Sequence, residues 1–481
     1  MPPIRLRHFI DGSFRDFGAE REIPSINPSD AADTVALVPE GGPTAAAAAA
    51  AAAATALPAW RARTGPARAE LLHAWAGVIA ARAEELARAM TREVGKPIGE
   101  ARGEVARCVT ILRYYAGEAV RTVGDVIPAQ APGALQFTLR EPLGVVALIT
   151  PWNFPLAIPL WKAAPALAFG NSVVLKPSEM SSHLASLLAE TAAAARIPDG
   201  VFNVVFGTGT ASGVPLLRED VVRGVSFTGS AAVGASVAAL AAGRNVRYQT
   251  EMGGKNVVIV ARDADLDAAA TLTASGAMRF AGQKCTATSR VVVAREVEAE
   301  FLERLRARVE QLPLGPVDDP AAAVGPLISE RARDSITQAL REGAPERVFG
   351  GTLPDDARFA RGFFFAPVVI RLHDPDVPLA QRELFGPVLA AFTAHDLDEA
   401  VAIANRTPYG LSASLFTRDI RAALAYVHRI EAGLVRVNGD TTGVDPHAPF
   451  GGVKGSSSGS REQGPAAREF YTETKTVQIN P

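Results

Sequence analysis

Short apolar runs alternate with helical stretches through the middle of this sequence, and that alternation constrains its fold most strongly. Residues 145–150, 173–176 and 225–228 are typical of short buried strands. Stretches with helical spacing, such as residues 181–195, separate most of them. Strands that are joined through helices form right-handed crossovers and a parallel sheet. The sequence therefore predicts a doubly wound α/β domain with the architecture of nucleotide-binding proteins.

The alternation restarts after Gly253 and Gly254, which predicts a second α/β domain. Strands are expected over residues 256–261 and 290–294, and a helix over 265–281. The second unit spans about 200 residues, an ordinary size for a domain. Near the end of the chain, residues 471–479 alternate as a strand that has no neighbour in sequence. Such a strand needs a partner, and we expect it in another subunit.

Charge and cysteine content exclude several classes of protein. The 49 Lys and Arg residues nearly balance the 51 Asp and Glu residues, so the net charge of −2 favours neither nucleic acid nor an anionic membrane. The two cysteines, Cys108 and Cys285, exclude a disulfide framework and favour a reducing compartment. The N-terminus lacks a signal-peptide pattern, and no apolar run is long enough to span a bilayer. We expect a cytoplasmic enzyme or binding protein with no metal, membrane or nucleic-acid partner.

Cys285 lies in Gly-Gln-Lys-Cys-Thr-Ala at 282–287, between a predicted helix and a predicted strand. A thiol in such a loop could be a nucleophile, because an adjacent lysine or backbone N–H groups would lower its pKa. The alternative is a buried cysteine that packs as a small apolar side chain. We favour that alternative for Cys108.

Two further polar residues follow predicted strands. Glu251 precedes Gly253 and Gly254, where the backbone can approach another group closely, and could be a general base whose pKa is raised by burial. Asn153 lies between two prolines and could donate its amide N–H to an oxyanion. The alternatives are a solvated loop carboxylate and an asparagine that serves only the turn.

Dinucleotide-binding features are present without the usual glycine fingerprint G-x-G-x-x-G. Gly-Thr-Gly at 207–209 follows a predicted strand, and Phe-Thr-Gly-Ser at 227–230 opens a predicted helix, where pyrophosphate binds well. Lys-Pro-Ser-Glu at 176–179 follows another strand. Glu179 could accept a hydrogen bond from a ribose 2′-hydroxyl and would repel a 2′-phosphate. An ordinary turn, a helix cap and a solvated Lys/Glu loop remain the alternatives.

These motifs, in this order, resemble the aldehyde dehydrogenase family along essentially the whole chain. They are Pro-Trp-Asn-Phe-Pro at 151–155, Lys-Pro-Ser-Glu at 176–179, Phe-Thr-Gly-Ser at 227–230, Glu-Met-Gly-Gly-Lys-Asn at 251–256, Gly-Gln-Lys-Cys-Thr at 282–286, Glu-Leu-Phe-Gly-Pro at 383–387 and Pro-Phe-Gly-Gly at 449–452.

The resemblance implies an aldehyde dehydrogenase-like α/β fold with two doubly wound domains and a small β element for oligomerisation. We expect the Rossmann-like dinucleotide-binding domain at residues 1–119 and 144–253, and the catalytic domain at 254–452. The β element would comprise a hairpin segment, 120–143, and the terminal segment, 462–481. A homodimer or homotetramer is expected, in which the last strand pairs with the hairpin across subunits.

The resemblance also assigns roles. Cys285 would attack the aldehyde to give a thiohemiacetal and then a thioester, Asn153 would stabilise the oxyanion, and Glu251 would activate the hydrolytic water. The presence of Glu251 favours hydrolysis over acylation of coenzyme A. NAD or NADP would be held by a set of thirteen residues: Thr150, Pro151, Trp152, Lys176, Ser178, Glu179, Gly209, Phe227, Gly229, Ser230, Gly253, Glu383 and Phe385.

Finer features, including residues 282–290 and the tail around 450–464, are similar to the α-ketoglutaric semialdehyde dehydrogenases within this family. Arg279, late in the helix predicted before Cys285, could bind a carboxylate at the far end of a short semialdehyde. Otherwise it is a solvated helix residue. The substrate would be lined by Asn153, Phe154, Trp161, Arg279 and Phe450, although the three aromatic residues could equally be core.

Several other functions remain open. The substrate could be succinic semialdehyde or a neutral aliphatic or aromatic aldehyde. More distant alternatives are a non-catalytic oligomeric binding protein and a cysteine hydrolase. The hydrolase needs a histidine base, and none of the seven histidines lies in a recognisable catalytic setting.

Overall fold

The structure is a computed structural model that describes residues 2–19, 21–121, 124–317 and 319–481. The strands, in chain order, are β1 (Ile4–Arg5), β2 (His8–Ile10), β3 (Ser13–Arg15), β4 (Glu22–Ile26), β5 (Thr34–Pro39), β6 (Val126–Ile127), β7 (Leu135–Pro142), β8 (Val145–Ile149), β9 (Ser172–Lys176), β10 (Phe202–Val204), β11 (Val222–Thr228), β12 (Arg247–Glu251), β13 (Val257–Val260), β14 (Arg290–Ala294), β15 (Glu346–Gly350), β16 (Val368–Arg371), β17 (Val388–Ala394), β18 (Tyr409–Gly410), β19 (Ser412–Phe416), β20 (Leu434–Val437), β21 (Val453–Lys454), β22 (Ser457–Gly459) and β23 (Thr472–Ile479).

The helices connect and cover these strands. They are α1 (Pro43–Arg61), α2 (Gly65–Ala81), α3 (Ala83–Val94), α4 (Ile98–Glu118), α5 (Ala157–Ala168), α6 (Ser182–Ala194), α7 (Val214–Arg218), α8 (Ala231–Gly243), α9 (Leu266–Met278), α10 (Glu298–Glu310), α11 (Glu330–Gly343), α12 (Pro378–Gln381), α13 (Leu397–Asn405), α14 (Ile420–Arg429) and α15 (Gly464–Tyr471).

An eight-stranded sheet has the order β22-β12-β11-β8-β9-β10-β2-β3, and its central strands β12 to β10 run parallel. From β8 the chain moves outward through β9 and β10, then returns to the other side of β8 to form β11 and β12. The reversal places a topological switch point between β8 and β11. In such sheets a ligand binds in the crevice at the carboxyl ends of the strands, beside the switch point.

Apolar residues alternate between the two faces of this sheet, so each face carries a core. Val146 and Leu148 of β8 belong to one buried cluster with residues of α2, α4, α5 and α6. Val145 and Ala147 of the same strand belong to another, with residues of α1, α7 and α8. Since successive side chains of a strand point to opposite faces, helices must cover both sides of the sheet. The predicted doubly wound fold is confirmed for this part of the chain.

A second sheet of seven strands has the order β15-β16-β17-β14-β13-β19-β20. All of its pairs are parallel except the antiparallel pair β15–β16 at one edge. Nearly all residues of β13, β14 and β19 are buried, which fits a parallel sheet covered on both faces. The predicted second α/β domain is therefore confirmed as a fold.

The terminal strand β23 pairs antiparallel with β7 of the same chain, along its whole length from Thr472 opposite Pro142 to Ile479 opposite Leu135. The expectation that this strand pairs with another subunit is wrong. Helix α15 ends at Tyr471, directly before this strand. The carbonyl of Tyr471 accepts hydrogen bonds from Leu143 and Asn171, which fixes the start of the strand. Strand β6 completes this three-stranded sheet. Residues 122 and 123 of the predicted hairpin segment lie outside the described residues.

Within the described part of the chain, no helix is long and apolar enough to cross a lipid bilayer. The alanine-rich helix α1 instead lies against the eight-stranded sheet. Its buried alanines are Ala45, Ala46, Ala49, Ala50 and Ala53, each at most 1% exposed. Side chains this small let the helix axis approach the sheet closely.

Replacing Ala49 by leucine should therefore overpack the contact and lower the free energy of unfolding by about 1–3 kcal/mol. The matched control is Ala51→Leu, since Ala51 lies on the exposed face of the same helix and should change stability by about 0.5 kcal/mol or less. Urea denaturation of both variants measures the difference. Equal destabilisation by the two substitutions would contradict this packing.

Candidate active site

Polar residues from four neighbouring strands meet at one edge of the eight-stranded sheet. Lys176 ends β9, Thr150 follows β8, Thr228 ends β11 and Glu251 ends β12. These strands are adjacent and parallel, in the order β9-β8-β11-β12. Because the carboxyl ends of parallel strands share one edge, the motifs that contain these residues converge at the topological switch point.

The part of this edge near α8 fits a phosphate group. Helix α8 begins after Ser230, whose side chain forms no capping hydrogen bond with the helix. Among the described residues, the buried hydroxyls of Thr150 and Thr228 have no hydrogen-bond partner. A helix start with free N–H groups attracts anions, and unpartnered hydroxyls offer additional donors. Gly229 lies against the ring of Phe227, where a Cβ would approach ring carbon Cζ to 2.6 Å.

Lys176 and Glu179 form the next part of the edge. The Nζ of Lys176 lies 3.8 Å from Oε2 of Glu179, and burial lowers the pKa of this lysine. The hydroxyl of Ser178 accepts a hydrogen bond from the N–H of Met180 at 3.2 Å and so starts the turn that presents Glu179. Gly209 begins a short π-helical turn, Gly209–Gly213, that adjoins the side chain of Lys176. A third of the Glu179 side chain is exposed, so its carboxylate is accessible.

Glu383 reaches the same edge from the second sheet. Its carboxylate lies against Gly253, where a Cβ would be 1.9 Å from Oε2, and Oε1 accepts the N–H of Gly254 at 3.1 Å. Burial raises the pKa of Glu383 to about 7. Phe385, two residues further, has a left-handed φ of 54°, and its ring packs edge-on against Trp152 at 5.6 Å. Trp152 follows Pro151 in the loop after β8.

Glu251 is buried, and one of its two carboxylate oxygens accepts a hydrogen bond. The Ser457 hydroxyl donates to its Oε2 at 2.6 Å, whereas Oε1 has no partner among the described residues. Burial raises the pKa of Glu251 well above its usual range, and the nearby Glu462 carboxylate raises it further. A carboxylate with a free oxygen and a high proton affinity is suited to take a proton from water.

The loop before Cys285 has an unusual backbone. The helix predicted over residues 265–281 ends at Met278, because Arg279 is extended and Phe280 and Ala281 have left-handed φ angles of 54° and 51°. The prediction that Arg279 lies late in this helix is therefore wrong. Non-glycine residues with such φ angles carry strain of about 1–3 kcal/mol each, and they cluster at functional sites.

The side chain of Gln283, fully buried, fixes this loop. Its amide nitrogen donates to the carbonyls of Phe280 and Pro326, and its oxygen accepts the N–H of Ile328 at 2.8 Å. The carbonyl of Cys285 is held in turn by the side-chain amide of Asn256 at 2.8 Å. The loop that contains Cys285, residues 279–287, is therefore anchored on both sides of the thiol.

The Cys285 thiol is half-buried, and its pKa is raised to about 12. Burial is the largest cause, followed by the charges of Glu383 and Glu251, while the backbone N–H groups of Thr286 and Cys285 act in the opposite direction. The expectation that an adjacent lysine or backbone N–H groups bring this pKa below its usual value is wrong, because burial and the two carboxylates outweigh them. The Lys284 ammonium is 3.0 Å from the Glu100 carboxylate, which also contacts the guanidinium of Arg279.

Asn153 is 3% exposed and lies against the nucleophile loop. Its Nδ2 donates to the carbonyl of Gln283 at 3.0 Å, which uses one of its two N–H bonds. Its Oδ1 has no partner in the described part of the chain. The Asn153 amide therefore contacts the backbone two residues before Cys285.

The residues predicted to line the substrate differ in their burial and in their contacts. The ring centroids of Trp161 and Phe450 are 5.7 Å apart, and both side chains are buried. Phe154 lies beside Asn153, with its ring facing the ammonium of Lys96. Arg279 is half exposed, and its guanidinium is 3.3 Å from the Glu100 carboxylate.

Sequence reasoning missed the buried charges around the site. Lys162 pairs with Glu462, and the Ser226 hydroxyl donates to the same carboxylate at 3.1 Å. Lys96 pairs with Glu104 on the side of Asn153. The available signal was position, because Lys162 interrupts the otherwise apolar helix α5. A charged side chain in such a place is rarely buried without a partner.

Comparison with known proteins gives one consistent family. Residues 14–477 match the model of the aldehyde dehydrogenase family. The alpha-ketoglutaric semialdehyde dehydrogenase of Bacillus subtilis (strain 168) is 43% identical over 477 residues, which cover 98% of each chain. The alpha-ketoglutarate semialdehyde dehydrogenase of Haloferax volcanii is 41% identical over 476 residues, again 98% of each chain. The crystal structure of an NAD-dependent aldehyde dehydrogenase from Sinorhizobium meliloti is 37% identical, with a TM-score of 0.95, 100% of this chain and 95% of that chain covered.

The electrostatics of Cys285 generate a prediction for the cofactor-free protein. In a Cys108→Ala background, alkylation of Cys285 by iodoacetamide should still accelerate between about pH 8 and 10, because only the thiolate reacts. Glu383→Gln removes the carboxylate that raises the Cys285 pKa most after burial. That variant should therefore lower the pKa and react faster at about pH 8.

Mass spectrometry of the alkylated peptide measures both rates. Glu303→Gln, on the exposed side of α10, serves as the matched control and should react like the parent. An unchanged rate in Glu383→Gln would contradict the assigned electrostatics.

Proposed function

The chain belongs to the aldehyde dehydrogenase family, and on that premise we propose that it oxidises an aldehyde to a carboxylic acid, with NAD as hydride acceptor and without acylating coenzyme A. The family resemblance predicted from the motifs is confirmed. The observation that carries the proposal is the convergence of a thiol and a general base. Cys285 lies close enough to Glu251 for that carboxylate to raise its pKa, at a sheet edge that fits a dinucleotide.

In this proposal the Cys285 thiolate attacks the aldehyde carbon and forms a thiohemiacetal. The free N–H of Asn153 and the backbone N–H of Cys285 donate to the oxygen that becomes negative. A bound nicotinamide supplies the acceptor for the hydride. Once the hydride has left, the substrate carbon is a thioester on Cys285. Glu251 then takes a proton from water, the resulting hydroxide attacks the thioester, and the acid and the thiolate are released.

Glu251 supports the hydrolytic form of the reaction. Its carboxylate is buried, its pKa is raised, and one oxygen is free to accept a proton. A high proton affinity makes a carboxylate a better base toward water near neutral pH. The release step therefore needs no external thiol.

The cofactor would lie along the switch-point edge, held by the residues that converge there. The free start of α8 and the hydroxyls of Thr150 and Thr228 suit the pyrophosphate. Lys176 and Glu179 suit the adenosine ribose, and the Glu179 carboxylate would repel a 2′-phosphate. Glu383 suits the second ribose. The Sinorhizobium meliloti relative is named NAD-dependent, and we propose the same preference here.

We propose a short semialdehyde with a terminal carboxylate as substrate, such as α-ketoglutaric semialdehyde. Two cations, Arg279 and Lys284, share the single carboxylate of Glu100, which leaves one positive charge beside the nucleophile loop. Arg279 is the more exposed of the two. Because its guanidinium is held only loosely, it can exchange Glu100 for a substrate carboxylate. The names of the Bacillus and Haloferax relatives agree with this substrate.

We also propose the domain division stated from the sequence: cofactor domain at 1–119 and 144–253, catalytic domain at 254–452, and β element at 120–143 and 462–481. Every strand of the seven-stranded sheet lies between Val257 and Val437, inside the proposed catalytic domain. The strands of the eight-stranded sheet come from the first 251 residues, except β22.

We propose that the chain forms a homodimer or homotetramer through the surface of the three-stranded sheet. Val126, Leu135 and Ile479 on this sheet are 78%, 49% and 55% exposed. Large apolar side chains grouped on a surface favour contact with another protein copy. Cys108 and Cys285 are both free thiols, which suits the proposed cytoplasmic location.

The alternative of a cysteine hydrolase finds less support. It would require a histidine that activates Cys285. His8 accepts the N–H of Phe206 at 3.0 Å, and His395 contacts Arg295 at 2.9 Å, so neither is part of the nucleophile loop.

The central experiment follows aldehyde-dependent reduction of the dinucleotide by absorbance. Cys285→Ala should abolish turnover, and Glu251→Gln should give a burst of about one reduced nicotinamide per site followed by a very slow steady state. NAD should support a higher rate than NADP at matched concentration. Cys108→Ala is the control thiol variant and should keep wild-type activity. Undiminished turnover in Cys285→Ala would rule out the mechanism.

The substrate proposal is tested by kcat/KM for α-ketoglutaric semialdehyde against a neutral aldehyde of equal length. Arg279→Ala should lose about 1.5–3 kcal/mol of transition-state binding for the anionic substrate, roughly 10- to 100-fold, and little for the neutral one. The control is Arg88→Ala, whose side chain is 73% exposed on α3. If Arg279→Ala keeps the preference for the anion, the carboxylate binds elsewhere.

A further inference from the structure

A buried ion pair lies beside the predicted oxyanion donor. Lys96 follows α3, Glu104 belongs to α4, and their charged groups are in direct contact. The two side chains are 0% and 1% exposed. Neither residue belongs to the sheet edge or to the nucleophile loop. Among the described residues, the backbone groups that bind these two side chains belong to one short loop, residues 153–157.

Lys96 holds the first end of that loop. Its ammonium donates to the backbone carbonyl of Asn153 at 2.7 Å. The same ammonium lies 4.0 Å from the ring centroid of Phe154 and 4.6 Å from that of Phe280. A desolvated cation is attracted to the face of an aromatic ring. Lys96 therefore contacts both the Asn153 loop and the strained residue that precedes the nucleophile.

Glu104 holds the second end. Its Oε1 accepts the backbone N–H groups of Leu156 and Ala157, both at 3.0 Å. These N–H groups stand at the start of α5, which begins at Ala157. A carboxylate at this place satisfies donors that a helix start leaves unpaired, and it is favoured by the helix dipole. The loop is thus clamped between an anion at its end and a cation at its beginning.

The cost of this arrangement indicates a role beyond packing. Removing two charges from water is unfavourable, and apolar side chains of equal volume often stabilise a fold as well or better. Here the two charges bind the backbone of residues 153–157 and so fix the orientation of Asn153. On the opposite side, the Asn153 side chain donates to Gln283, two residues before the thiol.

We propose that Lys96 and Glu104 are positioning residues that hold Asn153 in the orientation needed to stabilise the oxyanion on the Cys285-bound substrate. This inference rests on the proposed dehydrogenase function. The pair touches neither substrate nor cofactor. It acts by fixing the backbone on both sides of the amide donor, and errors of about 1 Å in such a donor can cost roughly 100-fold in rate.

The test is a double-mutant cycle between the pair and Asn153. The variant Lys96→Met/Glu104→Gln removes both charges at similar volume, and Gln keeps an acceptor for the α5 N–H groups. We expect kcat to fall about 10- to 100-fold with KM for the aldehyde changed less than about threefold. In an Asn153→Ala background the same pair of substitutions should lower kcat by less than about twofold, because the amide through which they act is gone.

Two outcomes would overturn the inference. One is a wild-type kcat in Lys96→Met/Glu104→Gln. The other is an equal loss in the presence and absence of the Asn153 amide, which would show that the pair acts on another group. Leu72→Ala is the stability control, since Leu72 is fully buried on α2, which packs on α4. It should lower the melting temperature and leave kcat unchanged well below that temperature.

A second measurement keeps the inference testable without turnover. Amide hydrogen exchange at residues 153–157 should accelerate in Glu104→Ala, which removes the acceptor of the Leu156 and Ala157 N–H groups, whereas a peptide from α2 should exchange as in the wild type. This readout also covers the case in which the double variant does not fold. If the wild-type protein oxidises no aldehyde, the proposed function fails; if it is active but exchange in this loop is unchanged, the positioning inference fails alone.

Discussion

The site depends on how the chain passes from one sheet to the other between β12 and β13. Gly253 leaves room for the Glu383 carboxylate, and a Cβ on Gly254 would come within 3.1 Å of the Cys285 carbonyl. Asn256 then binds the carbonyls of Cys285 and Ala287 through its side-chain amide. Asn256, five residues after Glu251, therefore fixes the loop that contains Cys285. Glu251 and Cys285 come together because this crossing has no space for larger side chains.

Two buried ion pairs lie near this crossing. Lys162 with Glu462 lies on the side of Glu251, and Lys96 with Glu104 on the side of Asn153. Arg290 is also buried, and it donates to the carbonyls of Lys255 and Ala404. Such groups do not make the protein more stable than an apolar core would. They instead fix the position of the backbone beside Glu251 and Asn153.

Much of the fold could be predicted from local pattern, because strands and helices follow from the spacing of apolar residues. The candidate site could be predicted only through motif order, since Cys285, Glu251 and Asn153 are far apart in sequence. Properties that depend on tertiary surroundings were missed. The helix before Cys285 ends early because Phe280 and Ala281 adopt left-handed angles that no residue type announces. The high pKa of the thiol arises from burial and from Glu383, almost 100 residues away, and Lys284 pairs with Glu100, which is also remote in sequence.

The return of the chain end to the first sheet has a consequence for synthesis on the ribosome. Strand β22 pairs with β12, and Glu462 is the counter-ion of Lys162, although about 300 residues separate the partners of that ion pair. A nascent chain that has emerged only as far as the seven-stranded sheet carries a lysine inside α5 with no counter-charge. The amino-terminal half therefore reaches its final stability only after β22 and Glu462 have left the exit tunnel.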